Sequence, residues 1–232
     1  MQNNEGKRTA ARFSRSLALN IIGSIVLLLI LFGLISSVIG LVSFTESFKK
    51  EYATTTWHMA DTATALVNGD HLDAYLAGEE AEEYLDSREK LDDCCRRMFV
   101  SLIYVIQVDR SDYGRFVSVF NSVCNEVDDS EYKAWELGHK RDTTNEEYRQ
   151  KYRAIYEKEA AYETVYRIKT TDGQHPHITT MVPVKNSAGD VTAILCMQRP
   201  VRELRDARRP FLWKIALSTF LLAVLSSAAA AA

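Results

Sequence analysis

The chain has 232 residues, of which 28 are Lys or Arg and 31 are Asp or Glu, and its formal net charge is −3 at pH 7. Without the basic amino terminus and Lys214, residues 44–209 keep 23 basic and 30 acidic side chains. This acidic balance excludes nucleic acid and anionic lipid as the main partners of that segment. At about 165 residues, the segment has the size of one domain with one core.

Two apolar runs flank this segment. The first, residues 17–43, holds no charged residue, and a helix of roughly 40 Å is long enough to cross a hydrocarbon core of about 30 Å. Four cations lie in residues 1–16, so the positive-inside rule predicts a cytoplasmic amino-terminal tail. A secretory signal peptide is the competing explanation, but its apolar core spans only about 7–15 residues before a small-residue cleavage site.

The second run lies within residues 210–232 and is free of charge from Ile215 onward. Its length of about 18 residues is the lower limit for a span. We therefore predict a second transmembrane helix there, in a multi-pass protein of the cell membrane whose residues 44–209 are extracytoplasmic. No output domain follows in this sequence, and we expect one to lie beyond Ala232.

Small residues lie on one face of the first predicted span. Gly33, Ser36, Ser37 and Gly40 recur at spacings of three and four, which is typical of helices that pack closely in membranes. This spacing favours a homodimer. The alternative is that glycine is simply frequent in membrane helices.

The intervening segment has the periodicities of an α+β domain. Apolar residues continue at helical spacing from Phe44 to Leu66, so the first helix should run on beyond the membrane. A short helix is expected from Ser87 to about Met98, and another over residues 145–157. Alternation at period two predicts about five strands, with Pro183 marking an edge or a bulge. The expected strands are residues 102–109, 115–123, 162–170, 177–185 and 190–198.

Three stretches carry a family resemblance. TMVPVKNSAGDVTAILCMQRPVREL, residues 180–204, resembles the closing hairpin of the Cache family, the PAS-like extracytoplasmic sensor domains of bacterial transmembrane receptors. NGDHLDAYL (68–76) and SLIYVIQVD (101–109) resemble the inter-helix turn and the first strand of that family. The resemblance covers residues 43–209 and leaves length for a single lobe only.

The resemblance implies an α/β fold of the α+β kind, in which a long amino-terminal helix packs on an antiparallel sheet between two transmembrane helices. It also implies a sensor that binds a small molecule and passes a conformational change to a cytoplasmic output. No ligand identity carries over, because the amino-acid-binding pattern of some two-lobed members is not evident here. Two other functions remain open: a membrane-anchored adaptor or structural protein, and a metal-dependent outer-face hydrolase.

Strand alternation suggests candidate ligand contacts. Aromatic walls with a few polar tips suit a small organic ligand, although the same residues would also pack the helical insertion onto the sheet. Arg115 and Arg167 are candidates for gripping a carboxylate, but arginines at exposed sheet edges are common. The candidate contacts are Tyr104, Phe116, Ser118, Phe120, Tyr152, Tyr166, His177 and Thr179, with Tyr162, Thr164 and Met181 at the same period.

Catalytic or metal chemistry has little support in the sequence. His175 and His177 are two apart and could begin a metal site, but no spacing indicates a third ligand. The motifs G-x-S-x-G and H-E-x-x-H and a phosphate loop do not occur. We therefore expect no catalytic residue, no metal and no cofactor.

The four cysteines leave their redox state open. Cys94 and Cys95 are adjacent and cannot easily bond to each other. A bridge from this pair to Cys124 or Cys196, or four buried thiols, would fit the sequence equally well.

Overall fold

The computed structural model describes residues 2–127, 131–167 and 175–231. The chain forms two compact units. One comprises the residues up to Phe48 together with those from Leu204 onward, and the other comprises Lys49–Glu203.

Helix α1 (Gln2–Thr64) is unbroken through the first apolar run and beyond it. This confirms the prediction that the helix continues past Phe44. The reason is that no Gly or Pro lies between Gly40 and Gly69 to end it. Its part from Gly23 to Thr64 is, among the described residues, the one helix that is long and apolar enough to cross a membrane. Helix α5 (Arg202–Ala231) contains the second apolar run, with Pro210 inside the helix. The second span stays a prediction.

The first unit brings α1 and α5 together through aromatic rings. The ring of Phe44 stacks on that of Phe211 with centroids 4.7 Å apart. A Cβ at Gly40 would lie 3.8 Å from the Phe211 ring, so this small residue faces α5 of the same chain. The Ser37 hydroxyl donates to the carbonyl of Gly33 at 2.6 Å. The homodimer inferred from these small residues stays a prediction.

The second unit is built on an antiparallel sheet of six strands, which confirms the α+β fold class. The strands are β1 (Leu102–Val108), β2 (Arg115–Val123), β3 (Lys140–Asp142), β4 (Glu163–Arg167), β5 (His177–Lys185) and β6 (Val191–Pro200). Their order across the sheet is β3-β2-β1-β6-β5-β4. The helices are α2 (Leu72–Leu76), α3 (Ala81–Arg97) and α4 (Glu146–Tyr156), with a 3₁₀ turn at Asn125–Val127.

Two expectations about these elements were wrong. Strand β3 was missed because its three residues are all exposed and give no alternation to detect. Helix α3 begins at Ala81 instead of Ser87, because the acidic residues that suggested a loop lie in its first turn, where negative charge stabilises the positive end of a helix dipole.

Two cores lie on opposite faces of the sheet. On one face, α1, α2 and α3 enclose a cluster of aliphatic and small side chains around Leu91, Ile103 and Leu195. On the other, α4 covers a cluster that includes Tyr104, Tyr152 and Ile194.

A β-bulge shifts the pairing of β1 with β2. Val105 lies opposite Phe120, while Ile106 lies opposite Ser118, so one extra residue, Val119, interrupts the alternation of β2. The prediction that Pro183 marks an edge or a bulge is confirmed. This proline lies past Met181, the last β5 residue paired with β4, and a second bulge follows between Val184 and Lys185.

The structure distinguishes between a disulfide bridge and four free thiols. All four are unpaired thiols, and Cys95, Cys124 and Cys196 are buried. Burial raises the pKa of Cys95 to about 12, so this thiol stays protonated and unreactive at physiological pH.

Candidate ligand-binding site

A cavity of about 380 Å³ lies on the α4 face of the sheet. Strands supply its floor, α4 one wall, and the segment before α4 another. A volume of this order suits a small organic molecule. The lining includes Leu102, Tyr104, Phe116, Asn121, Glu131, Tyr132, Lys133, Trp135, Arg141, Asp142, Thr143, Thr144, Asn145, Tyr148, Tyr152, Arg167, His177 and Gln198.

Aromatic rings form the apolar part of this lining. Trp135 meets the rings of Tyr104 and Phe116, each with centroids 5.5 Å apart. Across the cavity, Tyr148 and Tyr152 lie one helical turn apart, with centroids separated by 6.1 Å. Burial raises the pKa of both Tyr104 and Tyr152 well above 10, so both phenols are neutral at physiological pH.

Helix α4 is positioned by contacts at both of its ends. Asn145 caps the amino end, its side-chain oxygen accepting from the backbone N–H of Glu147 at 2.9 Å. Near the carboxyl end, the hydroxyl of Tyr156 accepts a hydrogen bond of 3.2 Å from the backbone N–H of Val108, while the guanidinium of Arg110 lies 4.6 Å from the Tyr156 ring centroid. The cavity wall is therefore tied to β1.

The segment before α4 is held over the cavity by amide side chains. Asn125 forms two hydrogen bonds with the backbone of Tyr132, one accepted from its N–H at 2.9 Å and one donated to its carbonyl at 3.1 Å. The amide nitrogen of Gln198, on β6, donates to the Tyr132 hydroxyl at 2.7 Å. These contacts fix the segment against the 3₁₀ turn that follows β2 and against β6.

Asn121 presents an unsatisfied donor at the cavity. Its side-chain oxygen accepts from the backbone N–H of Trp135 at 3.1 Å, which fixes the orientation of the amide, because a backbone N–H needs an acceptor. The NH₂ group is therefore left over, and it is buried without a hydrogen-bond partner among the described residues. The hydroxyl of Thr143, also in the lining, is buried and unpartnered there too.

Two arginines of the lining rest on aromatic rings. The guanidinium of Arg141 lies 5.3 Å from the ring centroid of Trp135, and that of Arg167 lies 5.5 Å from that of Tyr148. Within residues 2–127, 131–167 and 175–231, neither forms an ion pair with a carboxylate. Arg115, the other sequence candidate, is instead exposed and forms a 3.0 Å ion pair with Asp142.

The structure brings together half of the ligand contacts suggested by the sequence. Four of them, Tyr104, Phe116, Tyr152 and His177, line the cavity. Ser118 and Thr179 are buried on the same face without being part of its lining. Thr179 lies under the wall, accepting a 3.4 Å hydrogen bond from the Tyr148 hydroxyl.

Phe120 and Tyr166 are on the opposite face of the sheet. The bulge at Val119 turns Phe120 toward α3, where it stacks on Tyr84 at 4.9 Å, and it places Asn121 at the cavity instead. Tyr166 pairs with Ile178 in the ladder, and its hydroxyl donates to the carbonyl of Lys49 in α1 at 3.3 Å.

Other residues at the same period divide between the two faces. Thr164 pairs with Thr180, and Tyr162 stacks on Trp57 of α1 at 4.8 Å, so both lie on the α1 side. Met181 is buried in the core under α4. Arg167 reaches the cavity because it lies opposite His177. Alternation within a strand does not show which of its two sets of residues faces the cavity. That depends on how the strand is paired with its neighbours.

The two histidines singled out in the sequence contact each other. The Nδ1–H of His177 donates to the carbonyl oxygen of His175 at 2.7 Å, and His177 is the one that reaches the cavity. Sequence reasoning missed several members of the lining, above all Asn121, Trp135 and Gln198. Asn121 and Gln198 stand among apolar strand residues, and that was the available signal.

No family model matches the chain, and no curated protein does. Among solved structures, the ligand-binding domain of the Campylobacter jejuni chemoreceptor Tlp3 in complex with 4-methylisoleucine is 13% identical with a TM-score of 0.44, and the match covers 77% of this chain and 62% of that one. The sensory domain of the same receptor with isoleucine bound has 11% identity and a TM-score of 0.34, with coverage of 70% and 64%. The inducer-binding domain of the Acinetobacter transcription factor PobR, bound to 3-hydroxybenzoic acid, has 15% identity and a TM-score of 0.32, with coverage of 57% and 94%.

Proposed function

We propose that this chain is the sensory input module of a bacterial membrane receptor. In this proposal the α4-side cavity binds a small organic molecule, residues 44–209 form an extracytoplasmic Cache domain between two spans, and the conformational change is passed to a cytoplasmic output. The chain itself has no catalytic role. The NH₂ group of Asn121, which has no hydrogen-bond partner among the described residues, is the observation that carries the proposal.

That amide supports a ligand because a buried donor without an acceptor costs about 1–3 kcal/mol. A ligand that offers an oxygen acceptor would remove this cost and would do so only when bound. The guanidinium of Arg167 forms no ion pair with any described carboxylate, which supports an acceptor that is anionic or strongly polar. Rings of Tyr104 and Trp135 would cover the apolar remainder of the molecule.

The route from the cavity toward α1 runs through β6. Gln198 lines the cavity, and two residues later the carbonyl of Pro200 accepts a 2.7 Å hydrogen bond from the Tyr52 hydroxyl of α1. Between them, the guanidinium of Arg199 lies 4.1 Å from the Tyr52 ring centroid. A ligand that displaces β6 would therefore move α1 through these two contacts. Coupling free energies between two such sites are typically about 1–3 kcal/mol.

Ligand binding can be tested with the full chain in detergent. A thermal-shift screen against amino acids, carboxylates, amines and nucleobases should give at least one stabilising compound, since a ligand that binds only the folded state raises its melting temperature. Arg167→Gln should weaken binding of that compound by about tenfold or more.

Arg153→Gln is the matched control for Arg167→Gln. Arg153 is exposed on the outer side of α4 and pairs with Glu157 at 2.9 Å, so its loss should leave the affinity unchanged. A screen without any stabilising compound would contradict the sensor proposal and favour the adaptor. Protease accessibility of residues 44–209 in intact cells tests the extracytoplasmic location separately.

A further inference from the structure

A second group of polar side chains lies where α1, α2 and α3 connect. His71, Glu80 and Glu83 offer one ring nitrogen and two carboxylate oxygens, all within 4.8 Å of one another. These residues are far along the chain from those of the cavity lining, and they belong to the helices on the other face of the sheet. The group therefore has no part in the small-molecule site.

Two of the donor atoms are closer together than the ligands of a metal ion, because a proton lies between them. The Nδ1 atom of His71 is 2.6 Å from a carboxylate oxygen of Glu83. Around a tetrahedral zinc ion with bonds of about 2.0–2.1 Å, neighbouring ligand atoms are roughly 3.3 Å apart. Small rotations of these partly or fully exposed side chains would open that space.

A buried phenol provides an independent indication of a ligand. Tyr75 is only 1% exposed, and its hydroxyl has no hydrogen-bond partner of acceptable geometry among the described residues. The ring meets His71 edge-on, with centroids 6.3 Å apart. The Tyr75 hydroxyl lies next to the carboxylate of Glu83.

Metal-binding carboxylates commonly accept a hydrogen bond from a donor of this kind. Partners outside the coordination shell orient the ligands and set their basicity. Asn68 already contributes in this way, its amide donating to the other oxygen of Glu83 at 2.8 Å. Tyr75 would supply a second contact once the carboxylate turns toward a metal ion.

The backbone that carries His71 is firmly held. A Cβ at Gly69 would lie 2.3 Å from the carbonyl oxygen of Lys185, so this turn packs directly on the β5–β6 hairpin. The Asp70 carboxylate accepts from both the N–H and the hydroxyl of Ser187, at 3.1 and 3.0 Å. His71 would therefore be presented from a fixed loop.

We propose that His71, Glu80 and Glu83 bind a divalent transition-metal ion, with zinc the best fit. One imidazole nitrogen with two carboxylates suits zinc, whereas calcium and magnesium prefer oxygen ligands alone. Water would complete the coordination. The ion would clamp the start of α3 to the turn that follows α1.

Titration of the metal-free full chain in detergent with zinc chloride tests the site. Calorimetry should show one ion bound per chain, and Glu80→Gln should weaken binding by tenfold or more. Glu80 makes no ion pair in the described part of the chain, so this substitution should not disturb the fold. Glu79→Gln, one residue earlier and exposed, is the matched control and should bind as the wild type does.

Two further variants complete the test. His71→Ala should abolish binding, and Tyr75→Phe should weaken it by about tenfold, as losses of supporting contacts do. Zinc binding that is equally strong in Glu80→Gln and His71→Ala, no binding at all, or equal affinity for calcium would each overturn the proposal. None of these results bears on the small-molecule cavity, so the two proposals can fail separately.

Discussion

The two faces of the sheet are packed differently. Under α1, α2 and α3 the contacts are mainly aliphatic, and Leu91, Ile103 and Leu195 are completely buried. Under α4, buried tyrosines are added to the aliphatic residues and a cavity remains. The second face thus combines a buried core with polar donors and open volume.

This contrast predicts the largest loss of stability on the helix face. Leu91→Ala should lower the free energy of unfolding by about 2–5 kcal/mol, because it removes a completely buried side chain and leaves a cavity. Denaturant unfolding of the purified chain, followed by tryptophan fluorescence, measures this. Leu85→Ala, on the same helix but 58% exposed, should change the free energy by less than about 0.5 kcal/mol. Equal effects would show that α3 does not pack as described.

On the cavity face, stability depends more on single polar contacts. Tyr156→Phe should cost about 1–3 kcal/mol, since it leaves the buried N–H of Val108 without its acceptor. Tyr113→Phe makes the same chemical change where the hydroxyl forms a long, exposed hydrogen bond of 3.5 Å to the carboxylate of Glu157. It should therefore cost much less. The same unfolding experiment compares the two, and a reversed order would contradict the role given to Tyr156.

A smaller effect is expected at the start of α4. Asn145→Ala should lower the free energy of unfolding by about 1 kcal/mol through loss of the amino-terminal cap. It should also weaken any ligand found in the screen, because Asn145 is part of the cavity lining. Asn145→Ser keeps a capping oxygen and should recover most of the stability. If the serine variant is as unstable as the alanine variant, the cap is not the cause.

The smallest effect concerns pH and the pair of His71 with Glu83. The hydrogen bond to Glu83 raises the pKa of His71 above 6.5, and the bond to His71 lowers the pKa of Glu83 below 4.5. Glu80 and Asp70 also act on His71 in the same direction. The contribution of His71 is therefore complete below pH 6.5 and is lost as the pH rises through its folded-state pKa.

The contribution of Glu83 has the opposite sign. It is present above pH 4.5 and is lost as the pH falls through the lowered pKa of Glu83. The wild type should thus exceed His71→Gln in melting temperature mainly between these limits, in metal-free buffer. A difference that grows at alkaline pH would contradict the pairing.

Much of the fold followed from the sequence, because periodicity is a local property. Strands β1 and β2 were predicted nearly to the residue because their residues are mostly apolar. Helix α4 was predicted equally well because Asn145 is a typical amino-terminal cap. Which face each residue occupies depended on facts that are not local. The extra residue at Val119 moved Phe120 away from the cavity, and the phase of β4 moved Tyr166.

The candidate site was harder to predict for the same reason. Tyr104 and Phe116 could be named from alternation, but Asn121 becomes a cavity residue only because of the bulge. Trp135 lies in a stretch with no periodicity, and its position is set by the hydrogen bond to Asn121. Contacts between segments distant in sequence leave no mark in a single chain.

The four unpaired cysteines have a practical consequence for production. Because no cross-link completes the core, the polypeptide can reach its native arrangement without oxidants or isomerases, in a reducing host as well as in an export compartment. Purification can therefore include a reducing agent throughout, and a habitat without oxygen would place no extra demand on the maturation of this protein.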